Sequence, residues 1–142
     1  MGDKFFVDTN VLVYAYDDSA GAKHKKALGL MELWESGRPV VSTQVLQELA
    51  ICFRRRVARP LNRLEIRKII SELLQEWEIF VNTGESVLRA VVIEDRYKIS
   101  FWDALILHAA QQSAAQILYT EDLSHGQIYG SVRVVNPFHS SQ

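Results

Sequence analysis

Short apolar runs alternate along this chain with longer segments of helical periodicity, and this alternation limits the possible folds more than any other feature. The apolar runs predict five β-strands, at residues 5–7, 40–41, 78–81, 117–119 and 132–135. Helical segments of ten or more residues between strands are typical of right-handed crossovers that join parallel strands. The pattern therefore predicts an α/β fold, a three-layer α/β/α sandwich in which a central parallel five-stranded sheet has helices on both faces.

Six helices are expected, and capping and stopping residues indicate several of their ends. Asn62 followed by Glu65 has the form of a capping box, and so does Ser100 followed by Asp103. Pro60 limits how far the preceding helix can extend. The predicted helices cover residues 11–16, 22–36, 43 to about 56, 62 to about 75, 83 or 84 to about 97, and 100 to about 112.

The length of the chain favours a single domain over residues 1–142. No linker, repeat or low-complexity segment divides the sequence, and its longest uninterrupted apolar run, residues 11–16, is far shorter than the roughly 20 residues of a membrane helix. Asp8 interrupts the N-terminal apolar stretch, which disfavours a signal peptide, so we expect a cytoplasmic protein. The lone cysteine, Cys52, cannot form an internal disulfide, and its apolar neighbours predict a position in the core.

Basic residues are concentrated in one segment, although the net charge is only -1. Between Arg54 and Lys68 there are seven basic residues and one acid, Glu65. Such a run is most often the solvated face of a helix and its loop. It becomes a candidate phosphate-binding surface only if an acidic site lies beside it.

Four acids occupy positions at which a solvated surface carboxylate is not expected. Asp8 directly follows the first predicted strand and Asp122 lies three residues beyond the fourth, and ligands of open parallel sheets bind outside the carboxyl ends of strands. Glu48 shares a helix face with apolar residues, and Asp103 lies in an apolar helix where an unpaired charge is costly. Each acid also has a purely structural interpretation. Asp8 and Asp103 can cap helices, Glu48 can pair with an arginine, and Asp122 can be a loop acid. Together the four positions favour one shared crevice.

Convergence of these acids would limit the chemistry of the crevice. Two carboxylates about 4 Å apart repel by roughly 4 kcal/mol at an effective dielectric constant near 20, so such a group requires protons or cations. Oxygen ligands without Cys or His favour Mg²⁺ or Mn²⁺ over Zn²⁺. Such an ion can activate a bound water and neutralise charge that develops on a phosphate. The residues therefore predict metal-dependent hydrolysis of a phosphodiester.

Four segments resemble, in order, the motifs of PIN-domain nucleases. They are residues 6–12 (FVDTNVL), 42–48 (STQVLQE), 99–106 (ISFWDALI) and 118–123 (LYTEDL). The resemblance covers nearly the whole chain, and the compact size is similar to that of VapC-type toxins of bacterial and archaeal toxin–antitoxin pairs. It implies a Mg²⁺- or Mn²⁺-dependent endoribonuclease that acts on RNA, is inhibited by a small antitoxin protein and forms a homodimer.

The same resemblance implies a role for each of the four acids. By position, Asp8 and Asp103 would be the principal metal ligands. Glu48 would hold the metal-bound waters or a second ion, and Asp122 would complete the acidic set. Glu121 is a second acid beside Asp122 that could share its role.

Polar and basic residues would support this site. Hydroxyl or amide contacts to a carboxylate, a water or a phosphate would come from Thr120, Asn10 and Ser42. Contacts to RNA, to the antitoxin or to the other subunit would come from Arg54, Arg55, Arg56 and Arg59. His125 is interpreted as a loop histidine and not as a proton carrier.

Three other functional classes share features with parts of the sequence. A catalytically inert PIN-like module would bind RNA or a protein and would form no product with any divalent ion. A phosphotransfer receiver would need adjacent acids near the first strand and a lysine before a late proline, but Asn136 precedes Pro137 here. An aspartyl phosphatase would need Asp-x-Asp, and Asp8-Thr9-Asn10 lacks the second acid.

Overall fold

The structure, a computed structural model, describes residues 3–55 and 58–140 and confirms the predicted α/β architecture. The strands are β1 (Lys4–Val7), β2 (Arg38–Ser42), β3 (Glu78–Phe80), β4 (Ile117–Tyr119), β5 (Ile128–Tyr129) and β6 (Val132–Val135). The helices are α1 (Thr9–Tyr16), α2 (Ala22–Trp34), α3 (Thr43–Arg55), α4 (Arg63–Glu76), α5 (Gly84–Tyr97) and α6 (Phe101–Gln112), with a 3₁₀ turn at Asp18–Ala20. The predicted capping box of Asn62 and Glu65 is present at the start of α4.

The sheet has six strands in the order β3-β2-β1-β4-β6-β5, so the prediction of five parallel strands was wrong on this count. β1, β2, β3, β4 and β6 are parallel, whereas β5 pairs antiparallel with β6. A tight turn joins these two strands, with Gly130 at a positive φ of 63°. The sequence did not predict β5, because a strand of two residues, Ile128–Tyr129, is too short to show alternation of apolar and polar side chains. Its pairing with β6 depends on the hairpin turn.

The order of the strands reverses at β1, which pairs with β2 on one side and with β4 on the other. Val7 and Tyr119 are partners at the ends of β1 and β4, and the Asp8 backbone N–H donates to the Tyr119 carbonyl at 2.9 Å. The residues that follow both strands therefore meet at one edge of the sheet. This is the position where open α/β sheets bind their ligands.

Helices flank the sheet in two packed groups. α1 contacts α2 and α3, and α3 contacts α4, while α5 packs against α6. α6 is apolar over most of its surface and buries every residue from Ala104 to Ala110. Cys52 is only half-buried, and its side of α3 borders a cavity, so the prediction of a core position was wrong. Among the described residues, no helix is long and apolar enough to cross a membrane.

Trp34 is the largest fully buried side chain of the core, with 1% of its surface exposed. Its ring packs against Phe5, Tyr119 and Trp77 at centroid distances of 5.9, 5.3 and 6.0 Å. Its indole N–H has no hydrogen-bond partner in the described part of the chain, so its contribution to stability comes from packing.

We expect Trp34→Ala to lower the free energy of unfolding by about 3 to 5 kcal/mol, because it leaves a large cavity between α2 and the sheet. Trp34→Phe, which keeps an aromatic ring and loses only an unpaired N–H and part of the volume, should cost clearly less. Urea denaturation of both variants measures the difference. Equal losses in the two variants would contradict the assignment to packing.

Candidate functional site

A cavity of about 630 Å³ opens at the carboxyl ends of β1 and β4, a size that is usual for ligand sites. All four predicted acids line it: Asp8, Glu48, Asp103 and Asp122. They come from the end of β1, from α3, from α6 and from the loop after β4. Folding therefore brings together acids that are up to 114 residues apart in the chain.

Asp8 is the most deeply placed of the four, with 5% of its surface exposed. One carboxylate oxygen, Oδ1, accepts the Thr9 backbone N–H at 2.7 Å and so caps α1, and Oδ2 accepts the Thr120 hydroxyl at 2.8 Å. Burial raises the pKa of the Asp8 carboxyl from 3.8 to about 7, although these two hydrogen bonds oppose the shift. The negative charges of Asp122 and Glu48 raise this pKa further. The capping interpretation of Asp8 is thus correct, and the same carboxylate also faces the cavity.

Threonine hydroxyls connect Asp8 to two other acids. The Thr120 oxygen that donates to Asp8 accepts the backbone N–H of Asp122 at 3.1 Å. The Thr9 hydroxyl donates to Glu48 Oε1 at 2.9 Å. The motif comparison predicted Thr120 but missed Thr9, whose position beside Asp8 at the start of α1 was the available signal.

Asp122 is oriented by Asn10, whose side-chain N–H donates to Asp122 Oδ2 at 3.0 Å. Burial raises the pKa of the Asp122 carboxyl, and the charges of Asp103 and then Glu121 add to the shift. The amide oxygen of Asn10 is buried and has no hydrogen-bond partner among the described residues. Asn10 lines the acidic cavity, so this unpaired oxygen belongs to a residue of that lining.

Asp103 lies in the first turn of α6 and is half-buried. Ser100 caps this helix by accepting the Asp103 backbone N–H at 3.1 Å. Only one of the two hydrogen bonds of the predicted capping box is therefore present. Among the described hydrogen bonds, none joins the Asp103 carboxylate to the Ser100 backbone N–H. Asp103 instead lines the cavity, and the negative charge of its carboxylate raises the pKa of Asp122.

Glu121 is not among the described residues that line the cavity, whereas Asp122 is. Its carboxylate accepts the Tyr14 hydroxyl at 2.6 Å and Lys23 Nζ at 2.9 Å. The bond to Glu121 raises the pKa of the Lys23 ammonium, and burial together with this neighbour raises the pKa of the Tyr14 phenol. The structure therefore gives the two adjacent acids different partners.

Several other predicted residues lie outside the cavity lining. Ser42 is fully buried at the end of β2, where its hydroxyl accepts the Val45 backbone N–H at 3.3 Å. His125 accepts the Asn136 backbone N–H and stacks on His139 with ring centroids 4.3 Å apart, as a loop histidine does. Ser42 thus supports the first turn of α3 and is not brought to the acids.

The basic residues that the sequence predicted as contacts follow Glu48 in the chain, and those that the structure describes are exposed. Arg54 and Arg55 are exposed in the last turn of α3, and Arg59 forms an exposed ion pair with Asp18. Arg56 lies outside the described residues. Within residues 3–55 and 58–140, the side chains that line the cavity include no lysine or arginine.

The donor set fits a hard divalent cation by its chemistry. It consists of four carboxylates and an unpaired amide oxygen, and three of the carboxylates raise the pKa values of their neighbours, which a cation would relieve. Within residues 3–55 and 58–140, however, no three His, Cys, Asp or Glu side chains are already grouped as metal ligands.

Because the pKa of Asp8 is higher in the folded chain than in the unfolded one, its ionisation opposes folding. We expect this acid to lower the free energy of unfolding as the pH rises from about 4 to about 7, by at most roughly 4 kcal/mol, with no further loss above that range. Asp8→Asn removes this titration. In EDTA the variant should match the parent chain in stability near pH 4 and exceed it near pH 8.

Urea denaturation at several pH values measures this difference between the two chains. Since all other acids are shared, their pH dependence cancels in the comparison. A stability difference that does not change between pH 4 and pH 8 would contradict the raised pKa of Asp8.

Comparison with known proteins places this architecture in a family. The family model of the PIN domain matches residues 5–130. A toxin–antitoxin complex from Klebsiella pneumoniae is similar in structure, at 21% identity over 95% of this chain and 98% of that chain, with a TM-score of 0.67. VapBC2 from Rickettsia felis bound to a promoter DNA fragment has 17% identity over 92% and 96% of the two chains and a TM-score of 0.64.

VapC20 from Mycobacterium tuberculosis, described as a toxin that cleaves the sarcin-ricin loop, has 23% identity over 83% and 89% of the chains and a TM-score of 0.61. At these identities the structural likeness shows the fold. Comparison with curated protein sequences gives no match. The family model covers most of the chain, and the chain belongs to the PIN domain family.

Proposed function

We propose that this chain is a Mg²⁺- or Mn²⁺-dependent endoribonuclease that acts in the cytoplasm as the toxin of a toxin–antitoxin pair. The observation that supports this best is the convergence of four carboxylates, from four separate elements, on one cavity. Membership in the PIN domain family adds support, and so does the likeness to solved toxin structures, one of which is described as a toxin that cleaves the sarcin-ricin loop.

In this proposal Asp8, Asp103 and Asp122 hold the ion, and Glu48 holds a water at the cavity wall. When bound, the ion would lower the pKa of a water and neutralise charge that develops on the phosphate. The side chains must rotate within the cavity to do this, since no three of them are grouped in the structure as described.

The neighbouring polar residues hold these acids in place. Thr120 and the Thr9 backbone fix both oxygens of Asp8, which keeps its carboxylate directed away from the apolar core. The Thr9 hydroxyl fixes Glu48, and the Asn10 amide fixes Asp122. Such outer contacts orient ligands and set their basicity.

We expect Asp8→Asn and Asp103→Asn each to reduce RNA cleavage by at least about 100-fold, because even the outer contacts of a metal site are worth 10- to 100-fold. EDTA should abolish cleavage by the parent chain, and added Mg²⁺ or Mn²⁺ should restore it. The measurement is product formation from purified RNA, with circular dichroism to verify that each variant is folded.

Asp95→Asn is the matched control, because it makes the same chemical change at an exposed acid of α5 that pairs with Lys98. It should cleave RNA as the parent chain does. Unchanged cleavage in both Asp8→Asn and Asp103→Asn would refute the proposed catalytic site.

A second candidate, the catalytically inert PIN-like module, is favoured by one observation, which is that the described acids form no ready group of three. Such a module would bind RNA with an affinity indifferent to Mg²⁺ and would form no product with any divalent ion. The cleavage assay therefore separates the two candidates.

The partner proposed for the toxin is a small antitoxin protein, since several of the similar structures are complexes of toxins and antitoxins. The exposed cations Arg54, Arg55 and Arg59 are candidate contacts for the antitoxin or for RNA phosphates. Arg59 also borders a second cavity of about 360 Å³, whose wall includes Tyr16 and Phe53.

We also propose a homodimer, and the observation that supports it is an apolar face on α5. The buried side of α5 includes Ser86 and Ala90, and the opposite side exposes four large apolar residues: Val87, Leu88, Val91 and Val92. Exposed apolar faces of this kind mark protein–protein contacts, and in a two-fold symmetric dimer the same face of each chain packs against the other.

We expect Leu88→Glu to convert the dimer to a monomer, because it would place two carboxylates in the apolar contact. Light scattering after gel filtration measures the mass. Leu64→Glu, at a residue of α4 that is 72% exposed, is the matched control and should leave the dimer intact. A monomeric parent chain, or an intact dimer in Leu88→Glu, would contradict the proposal.

A further inference from the structure

Three consecutive residues after β4 are held by different parts of the fold. The Thr120 hydroxyl donates to Asp8 Oδ2 at 2.8 Å, and two residues later Asp122 accepts the side-chain N–H of Asn10. Glu121, which lies between them, is bonded to side chains of α1 and α2. Residues 120–122 form neither helix nor strand, so these side-chain contacts help to set their conformation.

Both carboxylate oxygens of Glu121 are bonded. The Tyr14 hydroxyl of α1 donates to Oε1 at 2.6 Å, and Lys23 Nζ of α2 donates to Oε2 at 2.9 Å. The ion pair with Lys23 is partly buried, so salt screens it less than it screens a pair on the open surface. These two bonds join the loop after β4 to both helices.

Aromatic rings hold Lys23 in this position. Its Nζ lies 4.9 Å from the centroid of the Tyr14 ring and 5.5 Å from that of Phe138. The two rings meet edge to face, with centroids 5.1 Å apart. Cation–π contacts of this kind attract an ammonium group to the ring face, so they keep a flexible side chain beside Glu121.

The helix α1 holds the loop at two points. Asn10 and Tyr14 are four residues apart and therefore lie on the same face of α1. Asn10 bonds Asp122, and Tyr14 bonds Glu121. Loss of the outer point would leave the loop attached to this helix face through Asn10 alone, and the backbone of Asp122 would gain freedom.

We propose that Glu121 is a positioning residue, held by Tyr14 and Lys23, that keeps the Asp122 carboxylate at the proposed cation site. The inference rests on the proposed function and adds a residue that acts on the site without touching the ion or the RNA. It differs from the role of a second ligand beside Asp122. Contacts outside the ligand set commonly orient the ligands of metal sites.

One substitution separates positioning from simple electrostatics. Lys23→Met removes a positive charge near the acids, so Coulomb's law alone predicts tighter binding of a divalent cation. If Glu121 were a ligand, its release from Lys23 would also predict tighter binding. Positioning predicts weaker binding, because the released Glu121 no longer fixes the loop that carries Asp122. Methionine keeps the length and the apolar character of the lysine stem.

We expect Lys23→Met to weaken Mn²⁺ binding by about 10-fold, the lower end of the range for contacts outside a ligand set. The probe is Mn²⁺ alone, without RNA, and the electron paramagnetic resonance signal of the free ion measures the bound fraction. Lys23→Arg keeps the charge and the donor, so it should recover most of the loss. Unchanged or tighter binding in Lys23→Met would overturn the inference.

Glu78→Gln is the matched control for Glu121→Gln. Glu78 forms a partly buried ion pair with Lys4 at 3.0 Å, but these residues begin β3 and β1 at the opposite edge of the sheet. Both substitutions break one such pair, so urea denaturation should show losses of similar size. Only Glu121→Gln should weaken Mn²⁺ binding. Equal Mn²⁺ affinities in the two variants would assign Glu121 to stability alone and overturn the inference.

Kinetics provide a second readout. At a fixed, limiting Mn²⁺ concentration, Lys23→Met should lower kcat and leave the KM for RNA unchanged, because the contact acts on the cation site. More Mn²⁺ should restore kcat. A raised KM with unchanged kcat would assign Lys23 to RNA binding and overturn the inference.

Hydrogen exchange in EDTA tests the attachment of the loop without a metal ion. The Asp122 backbone N–H, which donates to the Thr120 hydroxyl at 3.1 Å, should exchange faster in Lys23→Met than in the parent chain, as NMR measures. Unchanged exchange would overturn the inference. Absence of Mn²⁺ binding by the parent chain would refute the proposed metal site, and faster exchange in Lys23→Met would still support the attachment.

Discussion

The hydrogen bonds that hold Asp8 at the reversal point of the sheet are the interaction on which the rest of the site depends. The backbone of Asp8 is tied to Tyr119 of β4, its Oδ1 caps α1, and its Oδ2 accepts the hydroxyl of Thr120. One residue therefore joins the central strand, the first helix and the loop that carries Asp122. Because Thr120 also accepts the Asp122 backbone N–H, the position of the fourth acid follows from that of the first.

This arrangement has a cost in stability. A carboxylate with 5% of its surface exposed and with two acidic neighbours resists ionisation, and its pKa near 7 expresses that resistance. Two hydrogen bonds to its oxygens reduce the penalty without removing it. Carboxylates whose ionisation opposes folding are typical of functional sites, where the surrounding fold keeps them in place. In the proposed function a divalent cation provides the compensation.

The lining of the cavity has two sides that differ in charge. Its acidic side is formed around Asp8 and Asp122, and its other side is formed by Trp102 and the glutamines of α3, which carry no charge. Glu121 does not contribute to the acidic side, because Tyr14 and Lys23 bind its carboxylate. The loop after β4 thus directs one acid to the cavity and the adjacent one to a surface network.

The sequence by itself determined the alternation of strands and helices, the capping residues Asn62 and Ser100, and the four acids that line the cavity. These signals are local, because periodicity, turn chemistry and capping act within one or two turns of the chain. Only the tertiary structure decided that β5 pairs with β6, that Ser42 lies away from the acids, and that Thr9 and Trp102 join them. Such outcomes depend on the direction of side chains and on pairing between segments far apart in sequence, and packing of the whole chain determines both.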